Sequence, residues 1–89
     1  MKRAETLEII TKGFANKRRI AILILLGKQP DMDVELLSEK LDLGYKSVSE
    51  HLRKMYMADL ITKEYDGYFV IHRLTPLGKK TLSFLSKLR

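Results

Sequence analysis

A mainly α fold with one small β-hairpin, in the order α-α-α-α-β-β-α, is predicted by three features of the sequence. Apolar residues recur at helical spacing from near the N-terminus to about residue 58. Two short segments rich in β-branched and aromatic residues then flank Asp66-Gly67, the strongest short hairpin signal. Thr75-Pro76 supplies a cap and an N1 proline where helical spacing resumes. The 89 residues suffice for one domain, expected to span 1–89. Such a chain removes roughly 60–70% of its unfolded surface from water, so its core is modest and dimerisation would add to it.

The first helix, about Ala4 to Ala15, carries Leu7, Ile10 and Phe14 on one side. Asn16 is a natural N-cap for a second helix, Lys17 to Leu26, which begins basic and turns apolar on nearly every side. A helix of that kind belongs at the centre of a fold. Gly27 reads as its C′ glycine, and Pro30 bars its return. Asp33 can cap a third helix, Val34 to Leu41, and Asp42-Leu43-Gly44 makes a tight break before a fourth, Tyr45 to about Ala58. Strands are expected at Ile61–Tyr65 and Tyr68–Leu74, with room for a short one near Met32. Asp66-Gly67 would form the centre of a type I′ turn. Leu77 to Leu88 closes the chain as a last helix. Two helices joined by a tight turn and followed by a hairpin make a winged helix-turn-helix.

Composition narrows the function. The absence of cysteine removes disulfides, thiolate metal sites and cysteine nucleophiles, and it suits a reducing cytoplasm. The longest apolar run, Ile20 to Leu26, falls well short of the ~20 residues of a membrane span. The opening Met-Lys-Arg-Ala-Glu puts an acid where a secretory signal needs its apolar stretch, so no targeting segment is expected. Seventeen basic against eleven acidic residues leave a net charge of +6, which favours a polyanionic partner, nucleic acid first. No phosphate-binding glycine loop, nucleophile elbow or catalytic carboxylate pair is recognisable, so no enzyme and no cofactor are expected.

The fourth helix carries the functional chemistry. At about 100° per residue, Val48, Leu52 and Met55 share one face. Lys46, Glu50, Arg53 and Met57 fall opposite, with Ser47, Ser49 and Lys54 on the flanks. Arg53 can fork onto guanine O6 and N7, and Ser47 and Ser49 can reach bases or phosphates. Lys46 and Lys54 suit phosphate, where they add affinity and little sequence preference. The helix's first turn adds free N–H groups and partial positive charge.

The stretch Phe14-Ala-Asn-Lys-Arg-Arg-Ile-Ala-Ile-Leu-Ile-Leu-Leu26 resembles the opening of the ArsR-like winged-helix repressors. Leu37-Ser-Glu-Lys-Leu-Asp-Leu43 and Ser47-Val-Ser-Glu-His-Leu-Arg-Lys-Met55 are similar to that family's Leu-Ala-x-x-Leu and Thr-Val-Ser-x-His-Leu-x-x-Leu pattern. Ala58-Asp-Leu-Ile61 is similar to its approach to the wing, and Leu74-Thr-Pro-Leu-Gly78 resembles MarR-like and archaeal winged-helix proteins. The resemblance implies a homodimeric transcriptional regulator of double-stranded DNA, a repressor, with Lys46, Ser47, Ser49, Glu50 and Arg53 at major-groove positions. His51 maps beside the DNA backbone. Dimers in the family use the first and last helices, which here offer Leu7, Ile10, Leu82, Leu85 and Leu88, residues that would otherwise serve the core.

Departures from the family pattern fall at Glu50, at the wing and at the metal sites. Glu50 can accept a hydrogen bond from cytosine N4, or it can pair with Lys46 or Lys54 four residues away. The wing tip, Glu64-Tyr-Asp-Gly-Tyr68, is acidic and aromatic, which argues against minor-groove reading. Backbone contacts through Lys63, Arg73 or the Tyr68 hydroxyl are expected instead, with Tyr65, Tyr68 and Phe69 packing the hairpin. The family's metal ligands are missing, since Pro76 to Arg89 holds no histidine or acid; His51 and His72 read as polar groups satisfied by neighbours. The rival reading is a winged helix that binds protein inside a larger complex. The effector, if there is one, is not written in the sequence.

Overall fold

The computed structural model describes residues 2–88; Met1 and Arg89, the ends of the expected domain, lie outside them. Five helices and one hairpin follow in the expected order: α1 (Lys2–Phe14), α2 (Lys17–Lys28), α3 (Val34–Leu41), α4 (Tyr45–Met57), β1 (Ile61–Asp66), β2 (Phe69–Leu74) and α5 (Pro76–Ser86). This is the winged helix-turn-helix. α2 is central, as its apolar composition demands: Ile22, Leu23 and Leu26 are buried, and it packs against α1, α4, α5 and β2. Each such side chain contributes roughly 1.5–3 kcal/mol by leaving water. Asn16 caps the helix by accepting from the Arg18 and Arg19 N–H groups.

Gly27 does not end α2. The helix continues to Lys28, and extended Gln29 caps it, donating its N–H to the Leu25 carbonyl. Packing explains the glycine better than backbone freedom does, because a Cβ at Gly27 would overlap Leu82 Cδ2 on α5.

The helix-turn-helix is set by side-chain and backbone caps. Asp33 accepts from the Leu36 N–H at 2.8 Å and starts α3. Asp42, left-handed at φ 52°, ends it, and Leu43 N–H reaches back to the Ser38 carbonyl at 3.1 Å. α4 then buries Val48, Leu52 and Met55 against the rest of the core.

β1 and β2 pair antiparallel from Ile61↔Leu74 to Asp66↔Phe69. The turn is therefore Gly67-Tyr68, one residue later than expected. Of the two turn residues Gly67 alone has positive φ, at 63°, as in a type II′ turn and not the type I′ turn anticipated. The strand foreseen near Met32 is a single bridge to His72.

The base of the hairpin is a polar knot. Thr75 donates its N–H to the Leu60 carbonyl and its hydroxyl to the Asp59 carbonyl, and accepts from the Gly78 N–H, so capping α5 also ties it to the start of β1. Gly78 sits against the Leu60 carbonyl so closely that a Cβ would collide with the oxygen.

Candidate nucleic-acid interface

The exposed face of α4 presents Lys46, Ser49, Glu50, Arg53 and Lys54, with Ser47 half-buried at its flank. The face exists because Val48, Leu52 and Met55 are held to zero or near-zero exposure on the other side. Gly44 supplies no side-chain cap and the first turn holds no acid, so the positive end of the helix is left uncompensated. Tyr45, Lys46, Ser47, Ser49 and Glu50 line an open recess at that end.

Glu50 pairs with neither lysine. Its carboxylate binds Arg53, three residues on, through two bonds: Nη2 to Oε1 at 2.6 Å and Nε to Oε2 at 3.1 Å. The expected i, i+4 pairing loses because the guanidinium offers two parallel donors where an ammonium offers a point charge. Hydrogen bonding to Arg53 holds the Glu50 carboxyl below its ordinary value, and the same bond keeps Arg53 charged. The fork that would read guanine is thus folded onto Glu50 in the free chain. Lys46 and Lys54 have no ion-pair partner among the described residues.

Beneath this face lies an arrangement the sequence did not announce. Arg19 donates Nε–H to His51 Nδ1 at 3.3 Å and Nη1–H to the Lys12 carbonyl at 2.7 Å. One side chain from α2 thus caps α1 and steadies α4. Burial, followed by the charges of Arg19, Arg18 and Lys54, lowers the His51 pKa. With Nδ1 accepting, the neutral ring carries its proton on Nε2. The only advance signal was Arg19 itself, at the basic start of an otherwise apolar helix.

The wing differs from its expected form. Arg73 forms ion pairs with Asp31, where its Nε–H donates to Oδ1, and with Glu64 through Nη1 at 3.0 Å. Asp31 reaches it from a left-handed backbone at φ 67°. Lys63 lies over the Tyr56 ring, 4.9 Å from its centroid. Tyr65, Tyr68 and Phe69 do not pack the hairpin: they are 82%, 102% and 56% exposed. A two-stranded ribbon with no third strand over its tip has nothing for them to pack against.

Among the apolar residues of the first and last helices, Ile10, Leu82 and Leu85 are half-buried against the core. Leu7 and Leu88 stay 51% and 63% exposed. His72 is buried and its Nδ1–H donates to the Met32 carbonyl at 2.9 Å. The described residues hold no group of three metal-ligating side chains, and no helix long and apolar enough to cross a membrane.

Residues 16–63, more than half of the chain, match the profile described as bacterial regulatory protein, arsR family. Among solved structures, HlyU from Vibrio cholerae is similar with a TM-score of 0.85 at 26% identity, covering 98% of this chain and 95% of that one. NolR from Sinorhizobium fredii gives 0.87 at 27% identity, with 98% and 87% covered. The homodimeric winged helix-turn-helix DNA-binding domain of Mb0332 from Mycobacterium bovis gives 0.85 at 22% identity, with 98% and 80% covered, a likeness of fold. No curated protein matches the chain by sequence.

Proposed function

The chain belongs to the arsR family of bacterial regulatory proteins, DNA-binding transcriptional regulators and not enzymes, and we propose that it works as a cytoplasmic homodimeric repressor carrying α4 into the major groove. The observation that carries this reading is the α4 face: two unpaired lysines, an arginine fork and hydroxyls, mounted on three fully buried apolar anchors. Lys46 and Lys54 neutralise phosphate, Ser47 and Ser49 bond to bases or backbone, and Arg53 reads guanine once it leaves Glu50. At the wing, Tyr68 offers an exposed hydroxyl to the backbone, whereas Lys63 and Arg73 must first give up their own partners. Leu7 and Leu88, exposed on and just beyond the terminal helices, support dimerisation there together with Ile10, Leu82 and Leu85. The homodimeric state of the Mb0332 domain supports it too. Two α4 helices about 34–36 Å apart would meet half-sites one turn apart.

Fluorescence anisotropy with selected and mixed-sequence duplexes over a salt series tests the proposal. The expected result is binding that falls steeply with salt. Arg53→Ala should lose roughly ten-fold or more on the preferred site and relax its sequence preference. Uniform loss on all duplexes would remove the base-reading role. The exposed acidic and aromatic wing tip favours a second reading, a protein-binding module; a monomer without duplex affinity in sedimentation and anisotropy would decide for it.

A further inference from the structure

α1 meets the end of α4 where Gly13 lies against Ala58, too close for a Cβ, and beside this contact opens a recess of about 600 Å³. Ile9, Ala15, Met57 and Ala58 supply its apolar lining. Ile9 and Met57 are 57% and 69% exposed, so two large apolar side chains from different helices face water in one place. Lys12, Arg53 and Lys54 stand around it, and no acid lines it. Two of these cations already hold acids, Lys12 through Glu8 at 3.4 Å and Arg53 through Glu50, so the uncancelled charge at the rim is that of Lys54. Arg19, also in the lining, spends its donors on neutral groups, the Lys12 carbonyl and His51, so its charge is not cancelled.

We propose that this recess binds a small amphipathic anion, a carboxylate with an aliphatic or aromatic body. The body covers Ile9 and Met57, and the head takes Lys54 and its neighbours. An apolar floor alone would take a neutral ligand, and exposed cations alone would take any anion. The combination selects a molecule with both parts, in the size range of ordinary ligand clefts. Because Arg53 and Lys54 also belong to the proposed DNA face, an occupied recess competes with DNA. That regulatory consequence rests on the DNA-binding reading; occupancy itself does not.

Octanoate is the probe, titrated into the full chain and followed by NMR, with acetate and 1-octanol as controls. Saturable shifts should centre on the Ile9 and Met57 methyls, at least ten-fold weaker for either control. Lys12→Ala/Lys54→Ala should weaken octanoate at least ten-fold, and Met57→Asp should abolish its binding. All three side chains are exposed, so an unchanged melting curve confirms that the variants fold. Equal binding of octanol, shifts centred on another face, or no saturation would overturn the proposal. Shifts at Ile9 and Met57 that follow protein concentration alone would give the recess to a second copy of the chain and overturn it as well. Binding of octanoate to a protein that ignores duplex DNA would leave the site standing and remove only the competition.

Discussion

The α4 face and the wing carry similar cations in the sequence and opposite electrostatics in the fold. On α4, Lys46 and Lys54 project from a helix whose inner side is fixed by Val48, Leu52 and Met55, and they form no ion pair among the described residues. On the wing, Arg73 is held between Asp31 and Glu64, and Lys63 rests on Tyr56. The charge a surface can offer to phosphate depends on what each cation already holds. Counting lysines and arginines overstates the wing at Arg73 and α4 at Arg53, which Glu50 holds, but describes Lys46 and Lys54 fairly.

The two regions also differ in how they are seated, and the largest expected effect follows from that. α4 rests on side chains, which can adjust. The wing rests on the Gly78 backbone pressed to the Leu60 carbonyl, which cannot move without breaking the bond from the Thr75 N–H. Gly78→Ala is expected to cost about 3 kcal/mol, the upper end of overpacking. In a domain of this size that lowers Tm by roughly 10–20 °C in a thermal circular-dichroism scan. Gly44→Ala, at the start of α4 with nothing within 4 Å of a Cβ, should cost less than about 1 kcal/mol. Equal costs would mean that the wing's base yields as easily as the helix.

The next effect is on DNA. Lys46→Ala/Lys54→Ala should reduce the slope of log K against log salt by about 3.6 for the dimer, two phosphates' worth in each protomer. Arg73→Ala should change it by less than about 0.5, since that cation is already held by Asp31 and Glu64. A reduction as large per residue as that from the lysines would show that the wing ion pairs open on DNA, and the contrast drawn above would fail.

Much of this was legible in advance because it is local. The Asn16, Asp33 and Thr75 caps, the three-residue turn and the burial of Val48, Leu52 and Met55 follow from short-range rules of spacing and hydrogen bonding. What escaped was decided by partners distant in sequence. Gly27 looked like a helix stop until Leu82 was seen against it. Arg73 looked free until the left-handed turn at Asp31 brought a carboxylate across 42 positions. Arg19 belongs to the basic start of α2 in the sequence, yet it joins α1 to His51 across 32 positions. Asp59, in the Ala58-Asp-Leu-Ile61 approach to the wing, is left-handed at φ 61°, a conformation in which a glycine would meet no Cβ strain. Glu50 was the nearest miss: its partner was on the right helix, three residues away instead of four.

Glu50→Gln sharpens the comparison by making α4 still less like the wing. It removes the carboxylate that holds Arg53 and an acid that would face phosphate. The expected result is tighter binding to mixed-sequence duplex, roughly three- to ten-fold at low salt, with the salt slope of the dimer steeper by about 1.8, one phosphate in each protomer. If Glu50 instead reads cytosine N4, the preferred site loses affinity while other duplexes gain, and a selection experiment on the two proteins separates these outcomes.

The smallest effect concerns one histidine in each region. His72 on β2 of the wing and His51 on α4 both have pKa values lowered in the folded chain, chiefly by burial; for His72 the bond to the Met32 carbonyl opposes this in part. The unfolded chain, with ordinary imidazoles near 6.5, therefore binds protons first as pH falls. Stability is full above about pH 6.5 and declines as pH drops through the lower folded values. Urea unfolding between pH 7.5 and 5 should show that decline. His72→Asn, which keeps a donor near Nδ1 without a titrating ring, should flatten it more than His51→Asn does, because His72 is only 2% exposed. Below the folded value His51 gains a proton on Nδ1 and can no longer accept from Arg19, so the backbone resonances of Lys12 and Gly13, whose carbonyls share that guanidinium, should shift with it. If they stay still while His51 titrates, Arg19 holds α1 independently of α4, and the two helices are steadied by separate contacts.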